Sequence, residues 1–192
     1  MLINYDSSKP LYLLGNGISS QEIFYFIDTE IDGEVLTIPL EDFEKLDDSS
    51  QCILSVQDIN LRNEFIKKIK YFNRVWSSYI HPEAFVVNQK LVGQGVIIWP
   101  CTYIGYQVKI GNFSSIAQKC NVGHGAELGI NVIMSPLVSV GGSTVIGNNV
   151  VFGLSCLIKD KISISDNTEF LMGSIVTKNI DTPGRYYGNR SA

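Results

Sequence analysis

Two histidines in 192 residues leave no set of three for a metal site within one chain. Charge is sparse as well, 15 Lys and Arg against 19 Asp and Glu, for a net charge of −4. That balance gives no global attraction to nucleic acid or to an anionic membrane, so an anionic ligand must be met by local donors. Cys52, Cys101, Cys120 and Cys156 show no CxxC or Cys/His spacing for zinc, and the chain is too long to need a disulfide framework. Reduced, mostly buried thiols are expected. No apolar run approaches the ~18 residues of a membrane span, and the opening MLINYDSSKPLYLLGNG has no basic region followed by an apolar one. A soluble cytoplasmic protein is the expectation. With hydrophobic residues at 45%, the chain can bury a core for one domain or two small ones.

What is abundant is a six-residue rhythm. From Ile80 an apolar residue recurs at every sixth position, through Ile98, Ile104, Ile110, Ile116, Val122, Leu128, Met134, Val140, Ile146, Phe152 and Ile158 to Val176. Glycine often follows directly, as at Gly93, Gly105, Gly111, Gly123, Gly129, Gly141, Gly147 and Gly153, and a small or β-branched residue stands four positions on, as at Thr102, Ser114, Cys120, Ala126, Thr144 and Cys156. A period of six does not track the 3.6 of an α-helix, and recurrent glycine would cost about 1 kcal/mol each there. A parallel β-helix fits: each step is a short strand and a corner, three steps close a coil, and glycine is expected to supply the corner's backbone angles. Cys120 and Cys156 fall on the inward small position, a packing role.

Residues 10 to 75 read as α/β. LYLL (11–14) is a strand, Gly15-Asn16-Gly17 a turn, and Ser19 to Glu22 a capping box opening a helix through Asp28. EVLTI, QCILSV and a helix over LRNEFIKKIKYF (61–72) continue the alternation, with Ser55 to Asp58 in a loop. The third glycine of a dinucleotide fingerprint is missing and there is no second mononucleotide-binding half, which argues against NAD. Gly15-Asn16-Gly17 is open to two readings: a structural turn, or a phosphate site made by backbone N–H groups at a helix N-terminus. Strand carboxyl ends are where ligands bind in such sheets, and this turn, Ser55, Val56 and Gln57 belong there.

Strand-GNG-helix, YIHPEAFV (79–86), NVGHGAELG (121–129), VIMSPLVSVGG (132–142), GSIVTKNI (173–180) and YYGN follow one another in an order that resembles the bacterial sugar acetyltransferases of the sialic acid O-acetyltransferase (NeuD) and nucleotide-amino-sugar N-acetyltransferase (PglD) type. The resemblance spans nearly the whole chain. It implies a small Rossmann-like α/β half (1–78) binding a nucleotide-linked amino sugar, a left-handed β-helix of hexapeptide repeats (79–180), and a C-terminal cap (181–192). Handedness comes from the resemblance alone, since ordinary crossover rules predict right-handed connections. The same likeness implies a homotrimer with active sites between subunits, acetyl-CoA as cosubstrate between neighbouring helices, and no metal. It places acetyl-CoA near Gly141, Gly142, Leu154 and Gly173, with Lys159 and Lys178 by the phosphates, and the sugar nucleotide near Gly15, Asn16, Gly17, Ser55 and Gln57.

His124 matches the family's catalytic base. Imidazole, with an unperturbed pKa of about 6.5, suits proton abstraction near neutral pH. The reaction implied is N-acetylation of the 4-amino group of a nucleotide-linked 4-amino-4,6-dideoxy sugar, in a ternary complex without an acyl-enzyme, for surface glycan synthesis. The alternatives are O-acetylation of sialic acid or a related sugar, and a non-catalytic β-helix scaffold. A γ-type carbonic anhydrase would need three histidines per metal, and His81 and His124 have the wrong spacing. The family usually carries an acidic residue directly after the histidine, where this chain has Gly125. Glu127, the one carboxylate between Glu83 and Asp160, is the candidate to orient the base. His81, before Pro82, reads as a packing or turn residue.

Overall fold

A computed structural model describes residues 1–69, 74 and 76–191, in two compact units, Met1–Tyr79 and Ile80–Ala192. In the first unit the elements run β1 (Leu2–Ile3), β2 (Leu11–Leu14), α1 (Ile18–Asp28), β3 (Val35–Ile38), a 3-10 turn (Leu40–Lys45), β4 (Gln51–Leu54), α2 (Ile59–Ile69) and β5 (Ser78–Ile80). A parallel sheet has the order β3-β2-β4, with Leu11 level with both Val35 and Gln51. All four residues of β4, and three of the four in β2, are buried, as expected of a parallel sheet that helices cover. Ile23 and Ile27 of α1, and Phe65 and Ile69 of α2, supply that cover. Phe43 packs edge-on against Phe65 at 5.0 Å and stacks on Trp76 at 5.8 Å. The chain leaves β2 for β3 on one side and returns to β4 on the other, so β2 ends at a switch point.

Two expectations shift here. α1 begins at Ile18, its N-cap is Gly17, and no side chain caps it. Ser19 therefore lies inside the helix, and the capping box does not form. α2 starts earlier than expected, because Asp58 Oδ1 accepts the N–H groups of Asn60 and Leu61, both at 2.9 Å. The last three residues of the expected 61–72 helix lie outside the described residues.

The second unit is a parallel β-helix. Two-residue strands stack in register every 18 residues, as in Asn121, Ser139, Leu157 and Ile175, so three hexapeptides make one coil. Both inward columns are buried where expected, the aliphatic one at Ile98, Ile116, Val122, Val140 and Phe152 and the small one at Thr102, Ser114, Cys120, Ala126, Thr144 and Cys156. Phe152 and Phe170 lie in adjacent coils with rings stacked at 5.3 Å. Hydroxyls in the small column are satisfied internally: Thr102 donates to Ala117 O at 2.8 Å and Thr144 to Lys159 O at 3.0 Å. The chain ends in a strand, Gly184–Tyr187, parallel to Thr168–Phe170, which folds back antiparallel onto Arg190–Ser191. Among the described residues no helix is long and apolar enough to cross a membrane.

The glycines do a different job from the one expected. Those directly after the aliphatic residue do not take positive φ; a Cβ on Gly111 would lie 2.4 Å from the Gly129 carbonyl, and one on Gly141 2.3 Å from the Asp160 nitrogen. They let adjacent coils touch. Positive φ falls two residues later, at Cys101, Gln107, Phe113, Lys119, Asn131, Leu137, Ser143, Asn149, Ser155, Lys161 and Asn167, and at Gly95, Gly125 and Gly173. Backbone bonds between coils hold these corners: Ser143 N–H donates to His124 O at 2.8 Å, and Asn149 N–H to Ile130 O at 2.9 Å. Asn131, Asn149 and Asn167 add an amide ladder, donating one to the next at 3.2 and 3.1 Å.

Candidate functional site

In the first unit, a cavity of about 430 Å³ opens at the carboxyl ends of the strands, with Gly15, Asn16 and Val56 in its wall. Gly15 has φ +132°, and a Cβ there would come within 2.8 Å of Ser20 Oγ and 2.9 Å of Val56 Cγ2. No other residue fits that turn without displacing its neighbours. Ser55, expected to bind ligand, is fully buried behind it, donating its one hydroxyl proton to Leu14 O at 2.9 Å, with its Oγ 2.8 Å from the Ser20 hydroxyl. Its hydroxyl is committed to the turn. Gly17 caps α1, and Gln57 is not in the cavity wall, although its buried Nε2 has no hydrogen-bond partner among the described residues.

Sequence reasoning missed the cavity's charged lining. Glu41, Glu44 and Glu64 face it together with Lys68 and the apolar Leu40, Phe43 and Leu61. The carboxylates favour hydroxyl and N–H donors and repel phosphate, which leaves the glycine turn and Lys68 as the features that suit an anion. The available signal was Glu41, three residues past the end of the EVLTI strand. Arg62, buried on α2, donates to the carbonyls of Leu54 and Val56 and fixes the loop from which Val56 reaches the cavity.

In the β-helix, His124 stands at the corner between strands Asn121–Val122 and Glu127–Leu128, exposed. Its imidazole lies over Gly142 of the next coil: a Cβ at that position would be 3.0 Å from Cε1 and 3.1 Å from Nε2. The bare glycine makes room for the ring. Among the described residues no hydrogen bond reaches the imidazole, so its nitrogens are available. Gly125 sits at the corner's left-handed position with φ +66° and donates its N–H to Tyr106 O at 2.8 Å. Glu127 is on the following face, its Oε1 2.7 Å from Lys109 Nζ, and no hydrogen bond joins it to His124. The carboxylate is held by lysine. His81 is buried, its Nδ1 accepting the Glu83 N–H at 3.1 Å, which is a turn role.

Beside the His124 corner runs a groove of about 370 Å³. Gly123, Gly141, Gly142 and Lys159 line it with the apolar Val140, Leu157, Ile158, Ile175 and Val176 and the polar Asn121, Ser139 and Thr177. Three expected cofactor residues, Gly141, Gly142 and Lys159, thus share one groove. Gly173 lines a second hollow of about 280 Å³ beside it. Leu154 is an exposed corner residue, and Lys178 is exposed, its backbone N–H held by Asn189 Oδ1 at 3.3 Å; neither lines the groove. Burial pushes the thiols of Cys52 and Cys120 up to about 11, and Cys101 is the exposed one of the four.

No family model matches the chain. Solved structures do match it along nearly its whole length. The acetyltransferase domain of PglB from Neisseria gonorrhoeae superposes with a TM-score of 0.86 at 16% identity, covering 96% of this chain and 98% of that one. A mutant perosamine N-acetyltransferase from Caulobacter crescentus, in complex with CoA and GDP-perosamine, gives 0.80 at 16% identity, with 92% and 93% covered. The fold is that of the left-handed β-helix sugar acetyltransferases. WeeI from Acinetobacter baumannii gives 0.78 at 16% identity over 96% and 99%. Among curated proteins, UDP-3-O-acylglucosamine N-acyltransferases match locally, at 34% identity over 67 residues in Herminiimonas arsenicoxydans and over 87 residues in Bordetella avium. The matched segments are 35% and 45% of this chain, and about a fifth of those relatives, 19% and 22%.

Proposed function

We propose that this chain is an acetyl-CoA-dependent N-acetyltransferase acting on the 4-amino group of a nucleotide-linked 4-amino-4,6-dideoxy sugar, with His124 as general base. The observation that carries this reading is the His124 imidazole, laid over the bare Gly142 and without a hydrogen-bond partner among the described residues, at the edge of the groove. A ring the solenoid does not need is placed where a ligand can reach it.

The groove fits coenzyme A: Gly141 and Gly142 let a chain lie close to the coil backbone, Leu157, Ile175 and Val176 suit methylenes, and Lys159 suits phosphate. Acetyl-CoA supplies the acetyl group as a thioester. His124 takes the proton that the sugar amine sheds as its nitrogen bonds to the acetyl carbon, and the protonated ring can return it to the departing sulfur. The pairing of Glu127 with Lys109 speaks against Glu127 as the orienting residue; the ring is positioned by Gly142 and the fixed corner. In the first unit, Gly15 and Asn16 belong with the nucleotide's phosphates, and Glu41, Glu44 and Glu64 with its hydroxyl and N–H groups. The sugar N-acetyltransferases that share the fold, one solved with CoA and GDP-perosamine, support the substrate class. The working assembly is a homotrimer with active sites between subunits, and the compartment is the cytoplasm.

The test is acetyl-CoA turnover with a panel of UDP-, dTDP- and GDP-linked 4-amino sugars, with sialic acid included. Turnover of one amino sugar, lowered about 10²- to 10⁴-fold in kcat by His124→Ala without loss of folding, is expected. Acetylation of sialic acid alone would replace the amine reading with O-acetylation. No turnover and no CoA binding would return the chain to a scaffold.

A further inference from the structure

Asn16 is the one asparagine of the chain that precedes a glycine. It stands exposed in the wall of the first unit's cavity, on the turn between β2 and α1. Among the described residues neither its side chain nor the Gly17 N–H takes part in a hydrogen bond. The fold requires Gly15 on one side of it but not Gly17 on the other. Gly17 has φ −79° and ψ 176°, which any residue adopts, and a Cβ there would meet nothing within 4 Å. A serine or aspartate in its place would cap α1, which no side chain now does. With no side chain on residue 17, the backbone nitrogen that follows Asn16 is unshielded. The corner asparagines are the opposite case. Asn131, Asn149 and Asn167 each precede a β-branched residue and hold one another's amides in their ladder.

We infer that Asn16 is a modification site, where spontaneous deamidation closes the cavity to anions as the protein ages. The Gly17 nitrogen bonds to Asn16 Cγ and gives up its proton; the bond from Cγ to the amide nitrogen breaks, and ammonia leaves a five-membered imide. Water then opens the imide at either carbonyl, giving aspartate, or isoaspartate with the main chain rerouted through the side chain. Both products carry a carboxylate. The cavity already sets Glu41, Glu44 and Glu64 against Lys68, so a further negative charge on the glycine turn removes one of the two features that suit phosphate. The same charge at the N-terminal end of α1 favours the helix. Aspartate at this position therefore lowers binding without unfolding the unit. Isoaspartate also lengthens the main chain beside Gly15, whose turn is packed against Ser20 and Val56. The loss of anion binding rests on the nucleotide reading above; the modification itself does not.

Folded wild-type protein held for weeks in mildly alkaline buffer, then digested briefly at acidic pH for peptide mass spectrometry, tests the assignment. The peptide spanning Asn16 should gain the small mass that separates an acid from its amide and split into two chromatographic forms, while the peptides of Asn131, Asn149 and Asn167 keep their amides. Gly17→Ser should hold its Asn16 amide over the same period, because a side chain then shields the nitrogen. If Asn16 stays an amide in the folded protein while a urea-unfolded sample converts, the turn protects it and the assignment is wrong. Asn16→Asp, made directly, should melt at or slightly above the wild-type temperature, yet lose about tenfold in affinity for whichever of UDP, dTDP and GDP the wild type binds in calorimetry. Unchanged affinity would overturn the closing of the cavity. If the wild type binds none of the three, the nucleotide reading falls and takes that consequence with it, and the mass of the Asn16 peptide still decides the modification.

Discussion

Adding one methyl group at Gly142 should slow the enzyme while sparing the fold. A Cβ there would meet His124 Cε1 at 3.0 Å and Nε2 at 3.1 Å, closer than ordinary contact by a few tenths of an ångström, and the same atom would stand 3.1 Å from His124 O. The ring is exposed and can turn away. A side chain forced ~30° off its rotamer costs about 0.5–1.5 kcal/mol. Lost from transition-state stabilisation, that corresponds to a kcat lowered about 2- to 13-fold. Gly142 has no positive φ, so alanine is conformationally admissible, and the usual gain of about 0.4–1 kcal/mol from a stiffer unfolded chain offsets the crowding. Gly141→Ala is the contrast: its Cβ would press on Asp160 N at 2.3 Å and Cα at 2.6 Å, backbone that moves only if coils separate. It should cost stability by about 1–3 kcal/mol or more. Steady-state kinetics with acetyl-CoA and the accepted sugar, alongside thermal melts, separate the two variants. A Gly142→Ala protein with wild-type kcat would refute the account of how the base is held.

Glu127→Gln should leave kcat and the pH–rate profile unchanged and shift stability by less than about 1 kcal/mol, because its partner Lys109 is also exposed. Gly15→Ala should lower the stability of the first unit by roughly 1–3 kcal/mol, since φ +132° strains any side chain and Ser20 and Val56 block the methyl group; a thermal melt with and without nucleotide sugar should show both lower stability and weaker protection. A thiol-reactive dye under native conditions should label Cys101 quickly and Cys52, Cys120 and Cys156 only after unfolding. The buried thiols also set an alkaline limit: their folded-state pKa is raised from 9.0 to about 11 for Cys52 and Cys120, so the stability they contribute is full below 9.0 and lost as pH climbs through about 11. A urea-melt series across that window, with a Cys120→Ser control, would detect it.

The solenoid was legible because its code is local. Every sixth residue faces inward, so Val122, Ala126 and Leu128 announce their places without knowledge of the neighbouring coils. The role of Gly123 and Gly141 was not legible, since the atoms they avoid belong to residues 18 or 19 positions later, and sequence alone shows glycine without showing what it is clear of. His124 stood out as a candidate because the repeat had no use for it and because it matches the family's base. The surroundings of its ring were not legible: Gly142 was named only for acetyl-CoA, and it is the stacking of the coils that puts it beneath the imidazole. Among the described residues no hydrogen bond joins Glu127 to it, because three residues along a coil is a turn of the corner, and Lys109, 18 positions earlier, is the neighbour of Glu127 in space. In the first unit Gly15 was readable as a turn, but Glu44, Glu64 and Lys68 reach the same cavity from a 3-10 turn and a helix whose packing only the folded chain reveals.

The 18-residue coil also works as a ruler. Each coil advances the chain by one strand spacing, about 4.8 Å, and the outward residues have little say in that advance. Removing residues 146–163 would join Val145 to Ile164 with the inward pattern intact and Gly142 still beneath His124, yet bring the terminal hairpin one graduation nearer to His124. Reach along the groove is thereby set by a count of coils, and on the proposed reading whole-coil insertion or deletion beyond Gly142 would suit the chain to a longer or shorter acyl donor while leaving the His124 corner as it is.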